Sequence, residues 1–380
     1  MNLEKVISIA LYVPMPKGMG LPCLIEGPPG VGKSSRVESA ARARGLPFRV
    51  VNIPTKQPED FAGLPVPDGR GGVKWECGVK AVRDLNAEGG GVLLFDELSK
   101  GLRAVQASLL SAVLERQIGD VTMHKNIRIF LASNSIEEGD GGHAILTTLG
   151  NRLAHLRVEV PDIEEYVAYR EGRLTVEHLN VDAAERRVHD AWPRVYAKHV
   201  ALHCAFLRRR PELLHQQPPE DDPNRGKAWP SPRSWDTAIR AAATCEALGE
   251  ACAMFDFVRA IVGTGPGDEY EEFVAQSDLP SPEDVLLGKW SPSAGRIDIC
   301  TGAYAGMVTY ALEQPRSDVL EQAWARLREA CDLGLVDVAW KQAARLTTSY
   351  GAKHRDKAVA NAAKQTLARL QRTGILEVRL

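Results

Sequence analysis

Eight consecutive residues, Gly27-Pro28-Pro29-Gly30-Val31-Gly32-Lys33-Ser34, satisfy the pattern G-x-x-x-x-G-K-[ST] at every fixed position. Each residue type has a chemical reason to be there. Glycine lets the backbone take positive φ, so successive N–H groups can point into one anion-sized hollow. Lys33 would bring a cation to the β- and γ-phosphates of a nucleotide, and the Ser34 hydroxyl would ligate Mg²⁺. A second stretch, Val92-Leu93-Leu94-Phe95-Asp96-Glu97, ends an apolar run in two adjacent carboxylates. There Asp96 would hold Mg²⁺, mostly through water, and Glu97 would polarise the attacking water. Asn134 follows a third apolar run, Ile127 to Ala132, and its amide could fix that water or sense the γ-phosphate. Asn is also a frequent turn residue at strand ends, and that reading stays open.

These groups need a frame. Leu21 to Ile25 reads as a short buried strand entering the glycine loop. Ser35 to Arg44 reads as the helix leaving it, its positive dipole end, Ser35 included, aimed at the phosphates. Four continuous apolar residues at 92–95 suit a strand covered on both faces, with its carboxylates at the C-terminal edge where open α/β sheets place ligands. Phe48 to Ile53 and Ala154 to Val160 are further expected strands. Residues 62–77 and 117–126 read as small hairpins, and 79–87 and 104–114 as helices. From about residue 163 the pattern is mostly helical, with a polar, Pro-rich loop over 218–232. The expectation is an α/β parallel-sheet core over 1–160, a helical lid over 161–285 and a C-terminal helical extension over 286–380.

Bulk composition excludes several alternatives. Charged residues make up 25% and hydrophobic residues 44% of 380 residues, and net charge is −2, so no strong overall field draws nucleic acid or an anionic membrane. The apolar run Val6 to Val13 is too short to span a membrane, and a helix beside the nucleotide suits it better. Cys23, Cys77, Cys204, Cys245, Cys252, Cys300 and Cys331 are scattered and odd in number, which points to reduced thiols in a cytoplasmic protein. His199 and His203 share a helical spacing without an evident third ligand, which favours a structural role over a metal site. From Ser317, the residues Val319, Leu320, Ala323, Trp324, Leu327 and Cys331 form one apolar stripe. The last forty residues carry nine Lys/Arg, among them Arg345, Lys353 and Arg379, against Asp356 and Glu377. Such a helix could meet nucleic acid or an acidic partner, or simply face solvent, and few aromatic residues accompany it for stacking on bases.

Together these residues resemble the AAA+ ATPases and, within them, the MoxR-like group. The resemblance implies a P-loop AAA+ fold, with Asp96-Glu97 as Walker B and Asn134 as sensor 1. Asn151-Arg152 stands where the family carries its arginine finger, and Arg233 of Ser231-Pro232-Arg233-Ser234 where it carries sensor 2. Pro58-Glu59-Asp60, Gly63 and the following hairpin resemble the group's helix-2 insertion. Gln106 with Leu109-Leu110 matches its Q-x-x-L-L segment. The group's usual proline after sensor 1 is absent from Asn134-Ser135-Ile136, residues 180–230 do not align, and the last hundred residues lie outside the resemblance.

The resemblance implies Mg²⁺-dependent ATP hydrolysis by a homo-oligomeric ring, a hexamer. It also implies a protein client or partner, which in this group can be a von Willebrand factor A-type protein. A surface Arg152 pairing with Glu159 is the plain alternative to a finger. A nucleic-acid motor gripping through the basic tail, and a nucleotide-gated scaffold with little turnover, are the rival functions.

Overall fold

The computed structural model describes residues 3–76, 78–134, 142–171, 180–293, 295–350 and 354–373, with backbone alone at 165 and 169. Cys77, Ser135, Ile136, Lys353, Glu377 and Arg379, all invoked above, lie outside the described residues. In chain order the strands are β1 (Pro14–Met15), β2 (Gly18–Met19), β3 (Cys23–Gly27), β4 (Phe48–Asn52), β5 (Leu64–Pro67), β6 (Val73–Glu76), β7 (Gly91–Asp96), β8 (Gln117–Ile118), β9 (Val121–Thr122), β10 (Ile127–Asn134) and β11 (Ala154–Arg157). The helices of the first half are α1 (Leu3–Ala10), α2 (Lys33–Arg42), α3 (Pro58–Ala62), α4 (Lys80–Ala87), α5 (Arg103–Leu114), α6 (Thr147–Gly150) and α7 (Ile163–Arg170). Those that follow are α8 (Val181–Arg209), α9 (Pro232–Leu248), α10 (Met254–Val262), α11 (Thr264–Ala275), α12 (Pro282–Leu286), α13 (Ile297–Glu313), α14 (Ser317–Asp332), α15 (Val336–Tyr350) and α16 (Lys357–Arg372).

The protein has an α/β core built on a parallel sheet and a helical C-terminal region. Five strands form one sheet in the order β11-β3-β10-β7-β4, and every neighbouring pair is parallel. The central strands are buried on both faces: Gly91–Phe95 of β7 and Ile127–Ser133 of β10 are all buried, with Arg128 and Ser133 the polar residues among them. That is the pattern of a parallel sheet covered by helices on each side. The expected strand 127–132 runs two residues further, because Ser133 and Asn134 pair with Glu26 and Gly27 of β3. The expected strand 154–160 stops at Arg157, with one further bond from Val158 N to Glu26 O at 2.7 Å. Both expected hairpins form, β5 with β6 and β8 with β9.

The chain packs as two compact units built from non-consecutive segments: residues 1–186 with 215–267, and residues 187–214 with 268–380. The first holds the sheet, α9 and α10. The apolar run Val6 to Val13 forms most of α1 and its buried exit, with Glu4 of α1 paired to Arg36 of α2. Among the described residues no helix is long and apolar enough to cross a membrane.

The second unit is all helical, with a core from α12 to α16. The stripe from Val319 to Cys331 is buried as the spacing predicts, and the Trp324 indole donates to Tyr350 O at 3.1 Å. Most of the described residues of the basic tail lie on two helices, α15 and α16, and part of their charge is consumed internally. Arg345 donates to Gln342 Oε1 at 2.8 Å and Thr309 Oγ1 at 3.0 Å, and Arg369 to Asp332 Oδ1 at 2.7 Å. Lys341, Arg355, Lys357, Lys364 and Arg372 remain exposed.

His199 and His203 lie on α8, and among the described residues no group of three or more His, Cys, Asp or Glu is placed to hold a metal. Burial pushes the His203 pKa down to about 4. The neutral ring is therefore the form the fold accepts, and the unfolded chain takes up a proton near pH 6.5. Stability from this group is fully present above pH 6.5 and is lost as pH falls toward 4, by up to about 3 kcal/mol. Urea unfolding at pH 7 and pH 4.5 measures it. His203→Gln should show a smaller acid loss than the parent chain, and an identical loss would remove the assignment.

Candidate functional site

The sheet order builds the site. Because β10 lies between β3 and β7, the C-terminal ends of three strands converge: Gly27, Asn134 and Asp96. Gly27 is required where β3 ends, since a Cβ there would stand 2.3 Å from Val158 O. The chain then turns through Gly30 at φ 80° and Gly32 at φ 85°, and a Cβ on either would meet no atom within 4 Å. It is the positive φ and not lack of space that calls for glycine at these two positions, and Gly32 caps α2 without a side-chain bond. Pro28 and Pro29 carry no N–H, so the available donors are those of Gly30, Val31, Gly32, Lys33, Ser34 and Ser35. α2 begins at Lys33, two residues before the expected start, which places those N–H groups in its first turn.

Lys33 is buried, and its ammonium donates to Gly27 O at 2.8 Å, Pro28 O at 2.7 Å and Asn134 Oδ1 at 2.7 Å. Ser34 Oγ donates to Asp96 Oδ2 at 2.6 Å. A hydroxyl and a carboxylate held this close are the hard-oxygen donors a Mg²⁺ ion takes, so the residues fit a Mg-nucleotide. Glu97 follows with the left-handed φ of 59°, its N–H donating to Asp96 Oδ1 at 2.9 Å. That backbone turn leaves its carboxylate partly open at the sheet edge, 3.9 Å from the Lys100 ammonium.

The two arginines form a second cluster. Arg152 follows α6 and its guanidinium donates to Thr148 O. Among the described residues it makes no ion pair with Glu159. Loss of solvent, and then the positive charge of Arg233, depress its pKa. Arg233 is exposed in the first turn of α9, a helix capped by Ser231. No hydrogen bond among the described residues joins this cluster to Lys33, Asp96 or Asn134. A cleft of about 390 Å³ beside α6, lined in part by Arg103, Ile145, Thr148 and Arg225, contains no residue of the glycine loop.

Two contacts were not legible from motifs. His155 of β11 reaches Gly150 O at 3.0 Å and Glu26 Oε2 at 3.4 Å, joining the strand before the loop to α6. Asn151, noted only as the residue beside Arg152, bonds to Trp229 and Ser231. Neither pairing has a local sequence signal, because the partners meet only through the fold.

Comparison with known proteins agrees with the core. Residues 22–153 match the AAA domain of the dynein-related subfamily. Midasin from Dictyostelium discoideum is 31% identical over 159 residues, covering 38% of this chain and 3% of that protein. Midasin from Giardia intestinalis is 28% identical over 155 residues, with the same coverage. The chain thus spans about 3% of the length of these curated relatives. A crystal structure from Cytophaga hutchinsonii, described as that of a candidate ATPase, superposes with a TM-score of 0.49 at 14% identity over 73% of this chain and 89% of that one. Residues 22–153 are an AAA domain of the AAA+ ATPase class.

Proposed function

We propose that the protein is a Mg²⁺-dependent ATP hydrolase of MoxR-like type that works as a homo-oligomeric ring, a hexamer, and remodels or activates a partner protein. The observation that carries the reading is the meeting of Lys33 with Asn134 and of Ser34 with Asp96 at one sheet edge. In this reading the N–H groups of Gly30 to Ser35 cradle the phosphates and Lys33 neutralises the β/γ oxygens. Ser34 and Asp96 hold the metal, which when bound supplies charge neutralisation at the transferring phosphoryl group. Glu97 accepts the proton of the attacking water, Asn134 orients that water, and Arg152 and Arg233 stabilise the developing charge. Functionally, residues 1–160 serve as the core, 161–285 as the lid bearing Arg233, and 286–380 as the extension. The proposed setting is the cytoplasm, and the resemblance suggests a von Willebrand factor A-type partner.

The test is direct. Lys33→Ala should weaken ATP binding by about 10- to 100-fold, the value of one charge-assisted contact. Equilibrium binding of a fluorescent ATP analogue measures it, and unchanged affinity would sink the assignment. Light scattering in ATP should report a ring-sized particle, and a monomer would remove the ring.

The hairpin β5–β6 exposes Val73 and Trp75 on one face, opposite Pro67 and Pro65, and Leu64 on the other, apolar surface suited to a client or the ring pore. Deletion of residues 67–73 is expected to spare basal ATP turnover and abolish client-dependent effects. Loss of nucleotide binding in that variant would show that the hairpin belongs to the ATP site instead.

A further inference from the structure

Helix α16 turns one face into the second unit and leaves the other to solvent. Val359, Ala362, Ala363, Thr366, Leu367 and Leu370 are buried, and Thr366 Oγ1 donates to Trp324 O of α14 at 2.9 Å. On the rim, Arg369 donates to Asp332 Oδ1 at 2.7 Å and Arg328 donates to Gln365. These contacts fix the roll of the helix about its axis. At 3.6 residues per turn, Lys357, Asn361, Lys364, Ala368, Gln371 and Arg372 share an arc of about 100°. All six are exposed.

The arc is strongly and singly charged. Along its whole length α16 carries four cations, Lys357, Lys364, Arg369 and Arg372, and no acid. The net charge of the chain is −2, so positive charge is gathered on this helix and not spread over the molecule. Among the described residues Lys357, Lys364 and Arg372 are in no ion pair. Asp356, the nearest acid in sequence, is turned to capping, its Oδ1 accepting from Ala358 N at 2.8 Å. Arg355, also exposed, adds a cation just before the helix.

The chemistry of the arc narrows what it can meet. It holds no aromatic and no large apolar side chain. A protein interface draws its affinity from such anchors, a helix lying on a membrane buries them among the acyl chains, and a single-stranded nucleic acid stacks its bases on aromatic rings. Lysine, arginine and amide side chains are what the backbone of a duplex takes. Lys357 and Arg372 stand about 22 Å apart along the axis, the rise of roughly six to seven base pairs.

We propose that the exposed arc of α16 is a docking face for the phosphodiester backbone of a duplex nucleic acid, bound without regard to sequence. Lys357, Lys364 and Arg372 meet phosphate oxygens and release their counterions, and the amides of Asn361 and Gln371 donate beside them. No residue of the phosphate site takes part, and the inference does not depend on the ring.

Fluorescence anisotropy of a labelled duplex of about 20 base pairs, titrated with the full chain without ATP, tests this. Three neutralised phosphates predict a slope of about −3 for log affinity against log salt, a loss of roughly 40-fold between 50 and 200 mM. The triple variant Lys357→Ala, Lys364→Ala, Arg372→Ala should lose that slope and bind at least about 10-fold more weakly at 50 mM, with basal ATP turnover unchanged. Lys357→Arg, Lys364→Arg, Arg372→Lys should keep both slope and affinity, because charge and not shape is read. Lys364→Gln alone should reduce the slope by about 1, and it serves as the probe should the triple variant fail to fold. Duplex DNA and duplex RNA probes distinguish the two sources of the backbone, and binding of either supports the face. No binding of either at 50 mM salt, or the parent slope in the triple alanine variant, would overturn it. Equal affinity for phosphatidylserine vesicles, or capture of an acidic protein with no duplex bound, would overturn it as well.

Discussion

Glu97→Gln is expected to bind ATP with the affinity of the parent protein and to turn it over about 10²- to 10⁴-fold more slowly, the range for loss of a positioned general base. The geometry separates the two properties. In the proposed site nucleotide affinity would depend on the α2 N-terminus, on Lys33 and on the Ser34–Asp96 pair, and Glu97 is not among the hydrogen-bond partners of the Lys33 ammonium or the Ser34 hydroxyl given above. Gln keeps the length and hydrogen-bonding capacity of Glu and can occupy the same left-handed backbone position at φ 59°. What it loses is the ability to accept a proton. Single-turnover hydrolysis with labelled ATP, beside equilibrium binding, measures both halves. Equal loss of binding and turnover would place Glu97 in the phosphate cradle instead. The slow variant is also the useful one for finding partners, because a complex captured in ATP does not cycle away. A ring-sized particle carrying one stoichiometric protein supports the remodelling reading, and nuclease-sensitive material in its place would favour a nucleic-acid motor.

Arg152→Ala is expected to cut turnover by about 10³-fold with little change in ATP affinity, the order of magnitude of a trans arginine. An ordinary surface arginine would be satisfied by an acid, and this one is not: it is half-buried, loses solvent, and its Nε has no partner among the described residues. Such a group is costly in an isolated subunit and becomes favourable only when an anion reaches it. Turnover measured across a range of protein concentrations checks the point. The wild-type rate per subunit should rise as rings assemble, and the Arg152→Ala rate should stay flat. A variant that retains more than a tenth of wild-type turnover in assembled rings would place the finger elsewhere.

The chemistry of the phosphate site was legible because each of its requirements is local. Positive φ at Gly30 and Gly32, a cation at Lys33, a hydroxyl at Ser34 and carboxylates ending an apolar run are all written within a few residues of one another. The strands 91–96 and 127–134 were likewise visible, since burial on both faces demands a mostly apolar run, which Arg128 alone interrupts between Ile127 and Ala132. Their ends were less so. β10 extends to Asn134 only because Gly27 of another strand offers it a partner, and the strand after residue 154 ends early because its pairing with β3 stops at Arg157.

By itself, the sequence determined the residue types of the site, the parallel-sheet class of the core, the apolar stripe of α14 and the mostly helical character of the described residues beyond 163. Tertiary structure alone decided which of those residues meet. Lys33 and Asn134 are 101 positions apart, Ser34 and Asp96 are 62, and Asn151 and Ser231 are 80. It also decided that residues 187–214 pack with the C-terminal helices rather than with the core. The physical reason is the same throughout. Propensity, periodicity and turn chemistry act over a few residues, whereas strand order and helix packing are settled by which apolar faces close on one another, and no local pattern records that choice.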